Sequence, residues 1–375
     1  MVQTDPLDDI TIVIPTYNRN YFLSRLLCYL KKNDFNNIII ADSSISEKYQ
    51  VNRKTVKSLF GDSILHTWTP ETGNTSHWYT KVLRAIEKIE TPETTLCSDK
   101  DFPIIPGIRQ CIEYLNKNLE YNVIDGKFYS FIADYSKKQI SWRRTYTSKE
   151  VISEKSPILR IDHLLRNYNP LSYSIHRTPT ICEVFSKVTD YTEDVRFGEL
   201  FTGAYPLTIG KYMHLDIDYW CRESNTFHSG SRNHLRLDDY ILNGTYRQKY
   251  ENFKEGLYSN LPVNSLNEAN QAIDLAMEIY LRRSYPHSFG KNAKSIWINF
   301  LKSLFNNLSD SHRIKLKDYM NRIHFFPKGA NISDNDLPLE LREINDFLQK
   351  SLDNNAYTFD IPLCLRKPTS FDFSM

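Results

Sequence analysis

Short apolar runs alternate with amphipathic segments along the N-terminal part of the chain, and this alternation restricts the fold more than any other feature. Residues 10–15 and 37–41 are continuous runs rich in isoleucine, as expected of strands buried on both faces of a parallel sheet. Residues 21–31, between them, carry apolar side chains at helical spacing. The alternation continues with a helix over 51–59, a strand over 64–68, a helix over 76–89 and a strand from Thr94. We therefore predict a mostly parallel α/β sheet flanked by helices, with right-handed crossovers.

The composition is that of an ordinary globular protein. The chain has 375 residues, of which 41% are hydrophobic and 25% charged, and this length suits two domains or one large domain with an extension. Its 47 basic and 45 acidic residues leave a net charge of +2, so no overall field favours nucleic acid as a partner. The six cysteines form no Cys-x-x-Cys pair, which argues against a zinc site or a disulfide framework and predicts reduced thiols.

No stretch of the sequence has the pattern of a signal peptide or a membrane span. Residues 1–9 include three aspartates and no apolar segment, and no apolar run reaches the roughly 18 residues that a spanning helix needs. We therefore expect a cytoplasmic protein, whose association with the inner face of a membrane would be peripheral. Basic and aromatic residues alternate between 282 and 297. They suit an anionic lipid surface or a polysaccharide, but such residues more often form a solvated helix face, which is the favoured interpretation.

A pair of carboxylates marks the end of the fourth predicted strand. Asp99 and Asp101 flank Lys100 and follow the apolar run that begins at Thr94. Open α/β sheets bind ligands at the carboxyl ends of their strands, and carboxylates there suit Mg²⁺ or Mn²⁺ ions that share their coordination shell with substrate phosphates. A solvated surface turn is the alternative interpretation. The positive charge of Lys100 weakens the argument for a metal more than it weakens the argument for the fold.

Polar segments also follow the first two predicted strands. Residues 16–20 contain no glycine, so this loop is not the glycine-rich dinucleotide fingerprint. Asp42 ends the second strand, where the base or ribose of a nucleotide could be read, although an acid after a strand is as often a turn residue or a helix cap.

These three motifs, in this order, resemble the N-terminal half of the family 2-like glycosyltransferases, which have the GT-A fold. The motifs are residues 11–19, 42–44 and 99–101, and the resemblance extends over the segment 10–230. It implies an α/β, Rossmann-like GT-A fold and the transfer of a sugar from a nucleotide-diphosphate-sugar donor to a glycan, lipid-linked or other acceptor. Polysaccharide or glycan assembly is the setting that it implies.

The resemblance also implies roles for individual residues. The first strand and its loop would contact the nucleotide, the acid after the second strand would read the base, and the Asp-x-Asp pair would hold Mg²⁺ or Mn²⁺ on the diphosphate. A basic residue or histidine after the last core strand would reach back to the diphosphate or the metal. The expected nucleotide-sugar contacts are Pro15, Thr16, Tyr17, Arg19, Asp42, Asp99, Lys100 and Arg222. The expected metal ligands are Asp99, Asp101 and His228.

A second carboxylate cluster, at 193–199, begins a predicted helix. The resemblance implies that an acid here faces the acceptor as the general base, and that attack opposite the leaving group inverts the anomeric centre. Glu199 is the preferred base because it directly precedes the apolar face of the helix. Glu193 and Asp194 are the alternatives, and acids in a first turn also simply favour the helix dipole.

The strand-like stretch before this cluster ends in His176 and Arg177. These side chains suit an acceptor or a phosphate, but half-exposed strand positions without a function often look the same.

The last third of the chain has helical periodicity in place of the alternating strands and helices. Residues 265–268 form a capping box, and helical periodicity returns at 296–305, 314–323 and 341–352. We predict a GT-A domain over 1–230, in which the nucleotide-sugar half ends near residue 105 and the acceptor half begins at 106. A linker over 231–262 and a helical subdomain with a tail over 263–375 complete the predicted organisation.

Two other functions use similar features. A sugar nucleotidyltransferase also has an α/β sheet with an acidic metal site, but such enzymes open with a glycine-rich basic loop that residues 16–20 lack. A non-catalytic carbohydrate-binding or assembly protein that retains the fold is the other alternative.

Overall fold

A computed structural model describes most of the chain. The described residues are 5–70, 77–134, 137–145, 150–192, 194–224, 235–242, 244–262, 266–285, 331–332 and 337–353. Their strands are β1 (Ile10–Thr16), β2 (Ile38–Asp42), β3 (Leu65–Trp68), β4 (Glu93–Leu96), β5 (Phe102–Pro103), β6 (Tyr121–Asp134), β7 (Gln139–Thr145), β8 (Ile175–Arg177), β9 (Lys211–Glu223) and β10 (Asn331–Ile332).

The helices of these residues flank the sheet. They are α1 (Asn20–Lys32), α2 (Ser46–Phe60), α3 (His77–Ile86), α4 (Ile105–Lys117), α5 (Pro157–Arg166), α6 (Thr178–Tyr191), α7 (Val195–Ala204), α8 (Pro206–Ile209), α9 (Leu237–Leu242), α10 (Tyr246–Tyr258), α11 (Leu266–Ser284) and α12 (Leu339–Asp353). None of the described helices is both long enough and apolar enough to cross a membrane.

The N-terminal half of the sheet has the predicted parallel arrangement. Strand β1 lies between β2 and β4, and β3 lies on the far side of β2, with all three pairings parallel. Side chains of β1 are buried on both faces, because Ile12 and Ile14 join one hydrophobic cluster while Val13 joins the other. This two-sided burial explains why the strand reads as a continuous apolar run. The carboxyl ends of β1, β2, β3 and β4 therefore meet at one edge of the sheet.

The rest of the sheet is mixed. Strand β8 pairs antiparallel with both β4 and β6, while β9 runs parallel to β6. The two-residue strand β5 pairs antiparallel with β9, with Phe102 opposite Cys221. No periodic pattern predicts a strand of two residues, yet this pairing brings the segment after Asp101 against the end of β9.

Helices of the C-terminal part complete both hydrophobic clusters. Helix α10 packs on α6 and α7, and α11 packs on α5. Helix α12 belongs to the first cluster, where Phe347 contacts the rings of Tyr29 and Phe102. The segment 231–262, for which a linker is predicted, contains α9 and α10. The predicted helices at 296–305 and 314–323 lie outside the described residues, and the domain boundaries remain a prediction.

Four of the cysteines bear on the prediction of reduced thiols. Cys97, Cys111, Cys182 and Cys221 are free thiols, in agreement with that prediction.

Candidate functional site

The loops after β1 and β2 are tied together at the carboxyl edge of the sheet. The backbone N–H of Ser43 donates to the carbonyl of Thr16 at 3.1 Å, and the N–H of Asn18 donates to Ser44 Oγ at 2.8 Å. Asn18 has a φ of +56°, a left-handed conformation that asparagine tolerates better than most residues. The buried Lys81 of α3 donates from Nζ to the carbonyl of Thr16 at 3.0 Å and to Ser43 Oγ at 2.6 Å. A single buried cation thus fixes both loops.

Asp99 is held by the first of these loops. Its Oδ2 accepts a hydrogen bond from Thr16 Oγ1 at 2.8 Å, and its Oδ1 lies 3.1 Å from Nη1 of Arg19. The Asp99 side chain is only 1% exposed, whereas that of Arg19 is 24% exposed. The structure therefore brings three of the predicted nucleotide-sugar residues together, with Arg19 facing solvent beside a buried carboxylate.

Asp101 lies against the end of β9. Its Oδ2 is 3.3 Å from Nε of Arg222 and 3.4 Å from Nε1 of Trp220, both of which donate to it. The β5–β9 pairing explains this contact, because the register that sets Phe102 opposite Cys221 sets Asp101 opposite Arg222 one step further. Burial raises the pKa of Asp101, and the charges of Arg222 and Lys100 oppose that shift. The other oxygen, Oδ1, is buried and has no hydrogen-bond partner within the described residues.

Lys100 lies between the two acids and is half-buried. Burial lowers the pKa of its ammonium group, and the nearby carboxylate of Asp101 opposes that change. Its backbone carbonyl accepts from Nη2 of Arg25 at 3.4 Å. The lysine therefore adds a cation to a turn that already has an arginine beside each carboxylate.

Asp42 is fully buried and its carboxylate is saturated by protein donors. Oδ1 accepts from the N–H of Ser44 at 2.8 Å, while Oδ2 accepts from Asn52 Nδ2 at 2.8 Å and lies 3.0 Å from His66 Nε2. Burial alone would raise the pKa of Asp42, but the hydrogen bonds from His66, Ser44 and Asn52 outweigh it and the pKa is lowered. Asp42 therefore organises the loop after β2 through its partners.

An aromatic surface that the sequence analysis missed stands next to Asp42. The ring of Tyr49 lies 4.9 Å from that of His66 and stacks on Trp68 at 5.1 Å with an angle of 24° between the planes. Trp68 donates from Nε1 to the carbonyl of Ser44 at 3.0 Å and remains 44% exposed. Its position as the last residue of a predicted strand is a signal, since the carboxyl ends of neighbouring parallel strands share one edge.

Glu199 lies on α7, close to the same arginine that contacts Asp101. Its Oε2 is 3.7 Å from Nη1 of Arg196, and 42% of the side chain is exposed. The surrounding protein nevertheless desolvates the carboxylate and raises its pKa, while the charges of Arg196 and Arg222 oppose the increase. The Arg222 guanidinium also lies 4.4 Å above the ring of Tyr173. Arg222 therefore contacts both Asp101 of the Asp-x-Asp turn and Tyr173, and its charge acts on Glu199.

The other acids of this region have different placements. Asp194 is the N-cap of α7 and accepts from the backbone N–H groups of Arg196 and Phe197, which gives it a structural role that capping acids commonly have. Glu193 and His228 lie outside the described residues, so their predicted roles remain predictions.

His176 and Arg177 are occupied by protein partners. His176 is buried and its Nε2 lies 2.9 Å from the carbonyl of Leu171, and Arg177 pairs with the buried Glu93 at 3.2 Å. Pro15 is half-buried in β1 and Tyr17 is 44% exposed in the loop that follows it.

Metal binding finds limited support in the donor set. No group of three or more His, Cys, Asp or Glu side chains suited to a metal occurs within the described residues. The unpartnered, buried Oδ1 of Asp101 is nevertheless the type of ligand that a hard cation takes. The site thus fits a metal only where a substrate and water complete the shell.

The parallel β3-β2-β1-β4 unit, the mixed second half and the carboxylates at the strand ends define a GT-A fold, and this confirms the fold predicted from the sequence. One crystal structure of the S. aureus protein TarS has a similar fold. Residues 1–349 of TarS in complex with UDP-GlcNAc match with a TM-score of 0.52 and 13% identity, over 80% of this chain and 82% of that one.

Two other structures of the same TarS fragment are less similar. The fragment without a stated ligand has a TM-score of 0.44 and 12% identity, over 76% of this chain and 93% of that one. Its complex with UDP has a TM-score of 0.44 and 11% identity with the same coverage. No family model and no curated protein sequence matches the chain.

Proposed function

We propose that the protein is a glycosyltransferase that moves a sugar from a nucleotide-diphosphate-sugar to a hydroxyl group of a glycan or lipid-linked acceptor. The observation that carries this proposal is the Asp-x-Asp turn at the carboxyl edge of the parallel strands, where Arg19 contacts Asp99 and Arg222 contacts Asp101. The guanidinium of Arg222 contacts Asp101 at 3.3 Å and its charge opposes the raised pKa of Glu199. Cations fixed at this edge suit a substrate whose diphosphate gains negative charge as it leaves.

The donor would lie along the carboxyl edge of the parallel strands. The nucleotide would contact Pro15, Thr16 and Tyr17, with Asp42 ordering the loop that meets the base. Arg19, Lys100 and Arg222 would supply positive charge to the diphosphate. Binding of UDP-GlcNAc by TarS, which has the same fold, supports a uridine diphosphate sugar as the first donor to test.

A divalent cation, Mg²⁺ or Mn²⁺, fits this proposal as a partner of the donor. Asp101 would offer Oδ1, Asp99 would ligate directly or through water, and His228 is a further proposed ligand. When bound, such an ion supplies Lewis-acid stabilisation of the leaving diphosphate. Arg19 and Arg222 would hold the two carboxylates in place around it.

The proposed reaction is an inverting displacement. Glu199 would accept the proton of the acceptor hydroxyl as that oxygen bonds to the anomeric carbon, and the bond from that carbon to the diphosphate oxygen would break with its electrons leaving on the diphosphate. A raised pKa suits a general base, because the ionised carboxylate is then a stronger proton acceptor. Arg222 would stabilise the charge that develops on the leaving group.

For the acceptor we propose only its class, a glycan or a lipid-linked molecule, and a peripheral contact with a membrane is a separate proposal. Helix α11 carries Arg282 and Arg283, for which an anionic surface is one interpretation. Arg282 pairs with Glu278 at 2.7 Å, and Arg283 donates to Asn167 and to the carbonyl of Arg166, both at 2.6 Å. These contacts favour a structural role over attraction to lipid.

A thermal-shift screen tests the donor proposal directly. UDP-GlcNAc, UDP-glucose and GDP-mannose, each with Mg²⁺ or Mn²⁺, should divide into ligands that raise the melting temperature and ligands that do not, since a ligand of the native state stabilises it. Slow release of the nucleoside diphosphate, UDP or GDP, from the stabilising donor would support a transferase. Release of pyrophosphate from a nucleoside triphosphate would instead indicate a nucleotidyltransferase. Binding without any turnover, with acceptors present, would indicate a non-catalytic protein.

A further inference from the structure

A buried arginine, Arg25, lies beside the Asp-x-Asp turn and has no role in the chemistry proposed above. Arg25 of α1 places Nη2 2.5 Å from Oε2 of Glu223, and the two side chains are 2% and 0% exposed. The same Nη2 donates to the backbone carbonyl of Lys100 at 3.4 Å. One guanidinium therefore joins the Asp-x-Asp turn to the last residue of β9.

The strand register explains why this connection matters. Phe102 stands opposite Cys221 in the antiparallel β5–β9 pair. One step beyond this pair, the carboxylate of Asp101 contacts Arg222, and the chain then turns, since the N–H of Asp101 donates to the carbonyl of Ser98 at 2.9 Å. Arg25 joins the neighbouring residues of these two segments, Lys100 and Glu223, through its guanidinium. The bridge is therefore one residue away, in both segments, from the pair formed by Asp101 and Arg222.

The surroundings of Arg25 make the bridge stiff. Its guanidinium lies 5.1 Å from the ring centre of Phe102, 5.2 Å from that of Phe22 and 5.6 Å from that of Tyr21. Phe102 contacts Phe347 of α12, and the hydroxyl of Tyr21 lies 3.1 Å from Ser351 Oγ. Aromatic rings and a C-terminal helix thus enclose a pair of charges. Such a pair costs desolvation energy that similar apolar residues would avoid, so stability alone is a weak explanation for it.

We propose that Arg25 and Glu223 are positioning residues, which set the separation between the Asp-x-Asp turn and the end of β9 and thereby align Arg222 with Asp101. The expected effect on turnover rests on the proposed function, whereas the expected effect on the distance between Arg222 and Asp101 does not. A buried bridge of charged hydrogen bonds positions backbone atoms more closely than apolar packing does, and a misplacement of about 1 Å costs on the order of 10²-fold in rate.

The test replaces the charge pair by apolar residues of similar volume, Arg25→Met with Glu223→Met. Such a replacement in a core is often neutral or stabilising, so we expect the double variant to fold with a melting temperature close to that of the wild type. Its crystal structure should show the distance from Arg222 Nε to Asp101 Oδ2 longer than the 3.3 Å of the wild type. Turnover should fall by on the order of 10²-fold, with a smaller change in donor KM.

The matched control removes a buried ion pair far from the site. Glu93 and Arg177 lie 3.2 Å apart at the amino end of β4, and Glu93→Met with Arg177→Met should leave the Arg222 to Asp101 distance and kcat unchanged. If the Arg25 and Glu223 double variant does not fold, Arg25→Lys replaces it. Lysine keeps the charge but replaces the planar guanidinium, whose Nη2 contacts both Glu223 and the Lys100 carbonyl, with a compact ammonium group on a different stem, so kcat should fall while the protein stays folded.

Two outcomes separate this inference from the proposed function. An unchanged distance and unchanged kcat in the folded double variant, or in Arg25→Lys, would overturn the positioning role. A wild-type protein that turns over no nucleotide sugar would remove the proposed function instead, and the crystallographic distance alone would then decide the inference.

Discussion

The guanidinium of Arg222 lies between the carboxylate of Asp101, 3.3 Å from its Nε, and the ring of Tyr173, 4.4 Å from its Cζ. The ring holds one face of the guanidinium while the carboxylate takes one edge. Stacking of this kind restrains an arginine without consuming its hydrogen-bond donors. Arg222 is therefore oriented before any substrate arrives.

Asp101→Asn tests the phosphate side of the site. Asparagine can still accept from Trp220 and Arg222, and burial already disfavours the ionised aspartate, so we expect the variant to fold with little loss of stability. Sugar transfer should fall by at least about 10²-fold, because a charge that orders the diphosphate side is gone. Rates and melting temperatures of both forms provide the measurement. Asp216→Asn is the control, since Asp216 pairs with Lys127 on the surface, and full activity in Asp101→Asn would exclude the assigned role.

Glu199→Gln tests the acceptor side. The variant should bind the donor as the wild type does, while kcat falls by about 10² to 10⁴-fold, the usual contribution of a general base. In the wild type, activity should decline as the pH falls through a pKa above the ordinary range of a glutamate, since the base must be ionised and burial raises its pKa. This acidic limb should vanish in the variant.

Asp194→Ala serves as the control for Glu199. Loss of the N-cap should cost roughly 1 kcal/mol of stability, with kcat of the folded protein unchanged. A retained acidic limb in Glu199→Gln, together with loss of activity in Asp194→Ala, would transfer the assignment to Asp194.

Removal of divalent ions tests the metal directly. If the buried Oδ1 of Asp101 contributes to a metal site with the donor phosphates, a chelator should abolish transfer and added Mn²⁺ or Mg²⁺ should restore it. Titration calorimetry should likewise show that the donor binds more tightly with the ion than without it. Undiminished transfer in the chelator would instead assign the leaving-group charge to Arg19, Lys100 and Arg222, and Lys100→Met should then lower kcat.

Glu93 predicts a pH dependence of stability that is unrelated to catalysis. Burial raises its pKa from 4.5 to about 7, although the charge of Arg177 lowers it. Because the folded-state pKa is the higher one, the stabilising contribution is complete below pH 4.5 and disappears as the pH rises through about 7. Glu93→Gln should therefore gain stability relative to the wild type as the pH rises across this window. Urea denaturation at several pH values measures the difference, and Glu120→Gln, which changes an exposed acid, should show no such trend.

The parallel half of the fold could be predicted because its evidence is local. Each strand is a continuous apolar run, each helix is periodic, and the order of β1, β2 and β4 with their polar ends follows from general rules for such sheets. The motif positions therefore predict that Asp42, Asp99 and Asp101 lie at the same carboxyl edge of the sheet.

The mixed half could not be predicted in the same way. Whether Arg222 reaches Asp101 depends on a pairing of two residues in β5 with β9, and two residues form no pattern. The partners of Asp42, above all His66 and Asn52, are separated from it in sequence and identified only by packing. The Arg25 bridge is hidden for the same reason, since a lone arginine within an apolar helix has no signature of its own.

Helix α12 gives the protein a particular order of assembly. The hydroxyl of Tyr21 and Ser351 are 330 residues apart in sequence and 3.1 Å apart in space, and Phe347 contacts Phe102 immediately after the Asp-x-Asp turn. Contacts between residues so far apart in sequence form late in folding, because closing the long loop between them costs conformational entropy. A chain still being synthesised would carry every sequence motif of the donor side long before residue 351 emerged. Only then would α12 pack behind the Asp-x-Asp turn, so we expect the chain to become active only after the C-terminal helix has been translated.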